Sequence, residues 1–192
     1  MTTVAIFDLD DTLVDTTARL VPEALRRTAE ALGVPVGRLN AGGKTVDEVT
    51  APCGPLDPAQ LEAAARAWYD PVVPELAPAP GARELLGRLR GRMRLVLLTR
   101  GDPQRQSNKI DRAGLRDLFD EIVIRSSEEP GSKADDLQRI LSGTDPKRSV
   151  VIGDDPNDEL RYGAALGCLT IDVRTTPLCT IEEVLTQAGL LE

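Results

Sequence analysis

Apolar and β-branched residues gather in five short runs, at 3–9, 95–98, 122–124, 150–152 and 169–173. Continuous runs of this kind belong to strands buried on both faces. From residue 81 onward, segments with helical spacing separate them. Leu85, Leu86 and Leu89 share one face of a helix over 84–90, and Leu137, Ile140 and Leu141 one stripe over 135–141. Asp102 before Pro103 reads as an N-cap with a first-turn proline, and Gly114 closes that helix. Asp155 before Pro156 reads the same way, and Thr180 with Glu183 has the spacing of a capping box. Alternating strands and helices require parallel pairing, so the expected class is α/β, a doubly wound parallel sheet with helices on both faces.

The first crossover breaks this rhythm. Roughly eighty residues separate the first run from the second, where a βαβ crossover needs only about a dozen. Within it, Leu20, Val21, Ala24, Leu25 and Leu32 lie on one face of a helix over 20–32, with Pro22 in its first turn or kinking it and Gly33 after it. Thr45 with Glu48 marks a second helix start, and Asp57, Pro58 and Gln60 a third. Pro52 and Pro71 bound these short helices, and nine of the fourteen prolines fall between positions 22 and 80. The expected organisation is a Rossmann-like core over 1–14 and 80–192 and a small α-helical cap over 15–79.

Composition narrows the chemistry. The chain has 192 residues, a net charge of −8 and no histidine. The missing imidazole excludes Ser-His-Asp and Cys-His nucleophile systems and every zinc site that needs His, so proton transfer near neutrality falls to carboxylates. The acidic balance argues against nucleic acid as a partner. No apolar run reaches the ~18 residues of a membrane span, and the chain starts straight into a strand-like segment, so no membrane association is expected. Cys53, Cys168 and Cys179 have no ligand spacing and read as reduced thiols, which suits the cytoplasm.

Acidic residues follow two of the apolar runs. The first continues Phe7-Asp8-Leu9-Asp10-Asp11-Thr12, and residues two apart on a strand point the same way, which places Asp8 and Asp10 on one face. The fourth ends Gly153-Asp154-Asp155-Pro156-Asn157-Asp158. Aspartates at one strand end often only shape a turn. Two acidic strand ends brought together need a cation, since like charges ~4 Å apart repel by about 4 kcal/mol at an effective dielectric of 20. An all-oxygen site of this kind suits Mg²⁺. Thr99, Arg100 and Gly101 at the second strand end offer phosphate donors. Lys133 at a helix start opposes the helix dipole, a cost that an anion opposite would offset.

In order, Asp-Leu-Asp-Asp-Thr at 8–12, Thr99, Lys133 and Gly-Asp-Asp-Pro-Asn-Asp at 153–158 resemble the four motifs of the haloacid dehalogenase-like hydrolase superfamily. The long insertion resembles the helical cap of its first cap class. The resemblance implies strand order 5-4-1-2-3, which also follows if Asp8, Thr99 and Asp154 are to meet at a topological switch point. It further implies Mg²⁺ dependence and a phosphoaspartyl mechanism. Asp8 would be the nucleophile and Asp10 the acid and base, with a raised pKa. Thr99 and Lys133 would hold the phosphoryl oxygens, with Arg100 either beside the phosphate or paired with a surface acid. Asp8, Asp154 and the Asp10 carbonyl would hold the metal, and Asp158 would act through waters or by orienting Lys133. Ala134 stands where many relatives have proline after the motif lysine.

The implied activity is hydrolysis of a small phosphorylated metabolite. A sugar-phosphate mutase uses the same core residues, whereas dehalogenases typically lack the second aspartate, present here as Asp10. In a receiver domain the lysine comes after the acids, but Lys133 precedes the 153–158 group. Thr16, Thr17, Arg19 and Lys44 are the residues of the insertion that could choose a substrate.

Overall fold

The computed structural model describes residues 3–69, 76–126 and 129–191. Its centre is a five-stranded parallel sheet in the order β3-β2-β1-β4-β5, built from β1 (Val4–Phe7), β2 (Arg94–Arg100), β3 (Glu121–Arg125), β4 (Ser149–Gly153) and β5 (Leu169–Asp172). This is the expected order read from the opposite edge. Register places Val4 beside Arg94 on one side and Ser149 on the other, so the ends of β1, β2 and β4 open at one rim.

Alternation across the pleat divides the core. Ala5 and Phe7 join Leu95, Leu97, Val150 and Ile152 on one face. That face is covered by α4 (Ala82–Leu89), α5 (Pro103–Arg112) and α8 (Ile181–Gln187). Val4, Ile6, Val96, Leu98 and Val151 face the other way, against α6 (Lys133–Ile140) and α7 (Glu159–Leu166). The double winding is therefore a consequence of central strands whose apolar residues face both ways.

Between β1 and α4 the chain forms a π-helical turn over Thr16–Leu20, then α1 (Val21–Leu32), α2 (Val46–Thr50) and α3 (Pro58–Tyr69). These helices have their own apolar cluster of Ala24, Leu25, Ala29, Leu39, Val46, Val49, Ala64 and Trp68. The segments that leave and rejoin the sheet lie side by side, with Ala79 N–H donating to the Leu13 carbonyl at 2.8 Å and Val14 bridging Pro78. Among the described residues, no helix is long and apolar enough to cross a membrane.

Several local expectations meet their residues directly. Thr45 and Glu48 form a reciprocal capping box on α2, and Asp57 and Gln60 exchange backbone-to-side-chain bonds at the start of α3. Pro22 sits in the first turn of α1, and Asp102 caps α5 by accepting the Arg105 N–H at 2.8 Å. Asp102→Ala should lower stability by about 1 kcal/mol, read as a shift of the urea midpoint at unchanged slope. An unshifted midpoint would show that the cap contributes nothing.

Others differ. Thr180 caps α8 with no side-chain bond, because the preceding turn over Leu178–Thr180 runs directly into the helix and its hydroxyl donates to the Pro177 carbonyl. Asp155 is not the N-cap of α7. Its carboxylate takes the Asn157 N–H in a tight turn, and α7 begins only at Glu159. Pro71 lies outside the described residues. Finally, β1 ends at Phe7, so strand alternation does not place Asp10. Asp8 N–H still joins the ladder at the Ile152 carbonyl (2.9 Å), but from Leu9 the chain turns. Leu13 and Val14 both donate to the Leu9 carbonyl, and Asp11 takes a left-handed φ of 53°.

Candidate active site

The rim of β1, β2 and β4 forms one wall of a cavity of about 830 Å³, and residues of the helical insertion, among them Lys44, Thr45 and Trp68, form another. Asp8, Asp10, Thr99, Arg100, Lys133, Asp154 and Asp158 all line it. Thr16, Thr17 and Lys44 line it as well. Arg19 instead pairs with Asp15 at 3.4 Å on the surface.

Asp8 is buried, and Lys133 Nζ donates to its Oδ1 at 2.7 Å. The same ammonium donates to Glu159 Oε2 at 2.8 Å and lies 3.4 Å from Asp158 Oδ2. A lysine at the first position of α6 is thus pulled inward by carboxylates. Burial would lower its pKa, but Asp8 and Glu159 outweigh that and push it up. Burial raises Asp8 to about 7, opposed by Lys133 and reinforced by Glu159 and Asp10.

One oxygen each from Asp8, Asp154 and Glu159 lies within 4.8 Å of the others. At an effective dielectric of 20 each such pair repels by about 3–4 kcal/mol, and the repulsion shows in Asp154, raised by burial, Glu159 and Asp11. Three hard oxygen donors at this spacing suit a divalent cation that takes carboxylates, waters and a phosphate. Thr12 supports the group by donating from Oγ1 to Asp154 Oδ1 at 3.4 Å. Neither the Asp10 nor the Asp158 carboxylate belongs to this trio.

Asp10 faces a different set. Lys109 Nζ and Thr16 Oγ1 donate to its Oδ1, and Gln106 Nε2 to its Oδ2 at 2.8 Å. Burial alone would raise its pKa, but Lys109, Gln106 and Thr16 together hold it below the usual carboxylate range, opposite to the raised value expected. Gln106 Nε2 also donates to Thr99 Oγ1 at 2.7 Å and to the Arg100 carbonyl at 2.9 Å, three acceptors shared between two protons. Gly101 admits this side chain, since a Cβ there would lie 3.1 Å from Gln106 Nε2. Arg100 itself is exposed at the cavity edge.

Glu159, Gln106 and Lys109 were not among the residues singled out from the sequence. A trace of Gln106 and Lys109 was present. On α5 they share a buried face with Ile110, which is an unusual place for polar side chains on a helix otherwise rich in charge. Glu159 follows Asp158 and reads as one more first-turn acid. Its inward direction depends on Gly153, where a Cβ would collide with the Glu159 carboxylate and lie 2.7 Å from its Cγ. Gly153→Ala should therefore displace Glu159 and weaken divalent-cation binding at the acidic trio about 10–100-fold, measured by titration calorimetry; unchanged affinity would remove Glu159 from the site.

A family model described as haloacid dehalogenase-like hydrolase matches residues 2–167. The glyceraldehyde 3-phosphate phosphatase of Pyrococcus abyssi is 30% identical over 186 residues, 85% of this chain and 77% of that protein. The pyrimidine 5'-nucleotidase YjjG of Escherichia coli is 34% identical over 99 residues, 48% of this chain but only 43% of that protein. Among solved structures, the HAD-hydrolase YfnB of Bacillus subtilis, bound to magnesium, is similar with a TM-score of 0.71 at 18% identity, covering 98% of this chain and 99% of that one. With the family model covering most of the chain and the same sheet order beneath it, the protein belongs to the haloacid dehalogenase-like hydrolase family.

Proposed function

We propose that the protein is a Mg²⁺-dependent phosphomonoester hydrolase that acts on a small phosphorylated metabolite through an aspartyl-phosphate on Asp8. The observation that carries this reading is the buried Asp8 carboxylate at the end of β1, held by Lys133 and next to Asp154 and Glu159 at the wall of a cavity. The phosphatase and the nucleotidase among the relatives support the reaction class. Residues 1–14 and 80–192 serve as the catalytic core, and 15–79 as a cap that closes the cavity on a small ligand.

Asp8, Asp154 and Glu159 would hold the metal, with Asp158 beside Lys133. When bound, Mg²⁺ supplies positive charge that offsets the carboxylates and the substrate phosphate. Asp8 attacks phosphorus as its carboxylate, and the bond from phosphorus to the ester oxygen breaks. Lys133, once its carboxylate partners are neutralised, holds a phosphoryl oxygen, and Thr99 is placed to donate its hydroxyl proton to another. Asp10 passes a proton to the leaving oxygen, with the Lys109 ammonium beside it as the source. In the second step water attacks phosphorus, the bond to Asp8 breaks, and Asp10 takes the proton of the attacking water and returns it to Lys109. Gln106 ties Asp10 to Thr99, so the proton carrier and the phosphate donor keep one fixed spacing.

Phosphate release from p-nitrophenyl phosphate and a panel of phosphometabolites tests the reading. Turnover should vanish with EDTA and return with Mg²⁺. Full turnover in EDTA, or none with any phosphomonoester, would overturn it.

A further inference from the structure

One buried cation on the cavity wall has no part in this chemistry. Arg105 precedes Gln106 on α5, so its side chain leaves the helix about 100° around the axis from that of Gln106. It lies against α3, with the guanidinium 4.0 Å from the centroid of the Trp68 ring. The residue is only 8% exposed and lines the cavity. Its Nε is buried without a hydrogen-bond partner, and among the described residues the guanidinium makes no ion pair.

The other two buried cations of the cavity differ in this respect. Lys109 sits on Asp10, and Lys133 on Asp8 and Glu159. Among the described residues, the carboxylates that act on Arg105 are Asp10 and Asp102, and both are already engaged. Asp10 takes Lys109, Gln106 and Thr16, and Asp102 caps α5. Burying a charged group without an acceptor is costly. Stacking on Trp68 offsets part of that cost and occupies only the face of the guanidinium. Among the described residues its in-plane N–H groups have no acceptor, and they form the fork that matches the paired oxygens of a carboxylate or phosphate.

We propose that Arg105 binds a second anionic group of the substrate, a carboxylate or a further phosphate, at the cap side of the cavity and away from the hydrolysed ester. The substrate class is then a small phosphomonoester with two anionic ends. This inference rests on the phosphatase reading. Trp68 belongs to the insertion and Arg105 to the core, so the second anion would be read where the two meet.

Two substrate pairs isolate the second charge: 3-phosphoglycerate against glycerol 3-phosphate, and propane-1,3-diyl bisphosphate against propyl phosphate. In at least one pair the doubly anionic member should be preferred about tenfold or more in kcat/KM, the scale of a charge-assisted hydrogen bond. Arg105→Met should abolish that preference through KM, and Arg105→Lys should restore it only in part. Trp68 is the only tryptophan of the chain. Its emission gives an independent readout of phosphonoacetate binding against ethylphosphonate, with the same preference and the same loss in Arg105→Met. Circular dichroism establishes that the variants fold. A wild-type preference below tenfold in both pairs and in the binding readout overturns the proposal, as does a preference that survives Arg105→Met. Either result with intact p-nitrophenyl phosphate turnover leaves the phosphatase reading standing, whereas absence of all phosphatase turnover removes both.

Discussion

Asp8→Asn should abolish turnover, by on the order of 10⁴-fold or more, the scale seen when a covalent nucleophile is removed. An ordinary surface aspartate would not give this result. Asp8 is 6% exposed, its backbone N–H is fixed to the Ile152 carbonyl, and its carboxylate is held by Lys133. The amide keeps the shape of the side chain and removes the attacking oxygen charge. The fold should survive, because burial makes the Asp8 charge expensive and Glu159 remains on Lys133. The thermal midpoint of the variant should therefore be no lower than that of the parent. A hydroxylamine-labile phosphate on the parent during turnover, absent from the variant, would tie the loss to the covalent step. Undiminished turnover by the variant would reject Asp8 as nucleophile.

The second large effect falls on a residue that no motif pointed to. Glu159 is 2% exposed, takes Lys133 on one oxygen and the Asp155 N–H on the other, and completes the acidic trio. Glu159→Gln preserves its volume and its acceptor for the Asp155 N–H while removing the charge. The Mg²⁺ concentration for half-maximal turnover should rise about 10–100-fold. Titration of Mg²⁺ against initial rate measures this, and an unchanged half-saturation would place Glu159 outside the metal's influence. Glu159→Ala should do more, because Lys133 loses a buried partner; breaking such a pair costs about 3–5 kcal/mol. Comparing the two variants by urea unfolding separates the charge's role at the metal from its role in the core.

What the sequence by itself determined follows from periodicity and motif order. Continuous apolar strands required a sheet covered on both faces, and the acids after β1 and β4, with Thr99 between them in the chain, resembled an ordered motif set that implies those strand ends converge. The length and proline content of the first crossover announced a separate group of helices, and local rules located Thr45, Asp57 and Asp102 as caps because each acts within four residues. Tertiary structure decided everything that depends on contacts between distant segments. Asp10 leaves the strand and turns to Lys109, 99 positions away, which lowers a pKa expected to be raised. Glu159 turns inward because Gly153 presents no side chain, and Arg105 rests on Trp68 because α5 of the core meets α3 of the insertion. A sequence records which charges are present, but only packing determines which of them are paired and which are left facing the cavity.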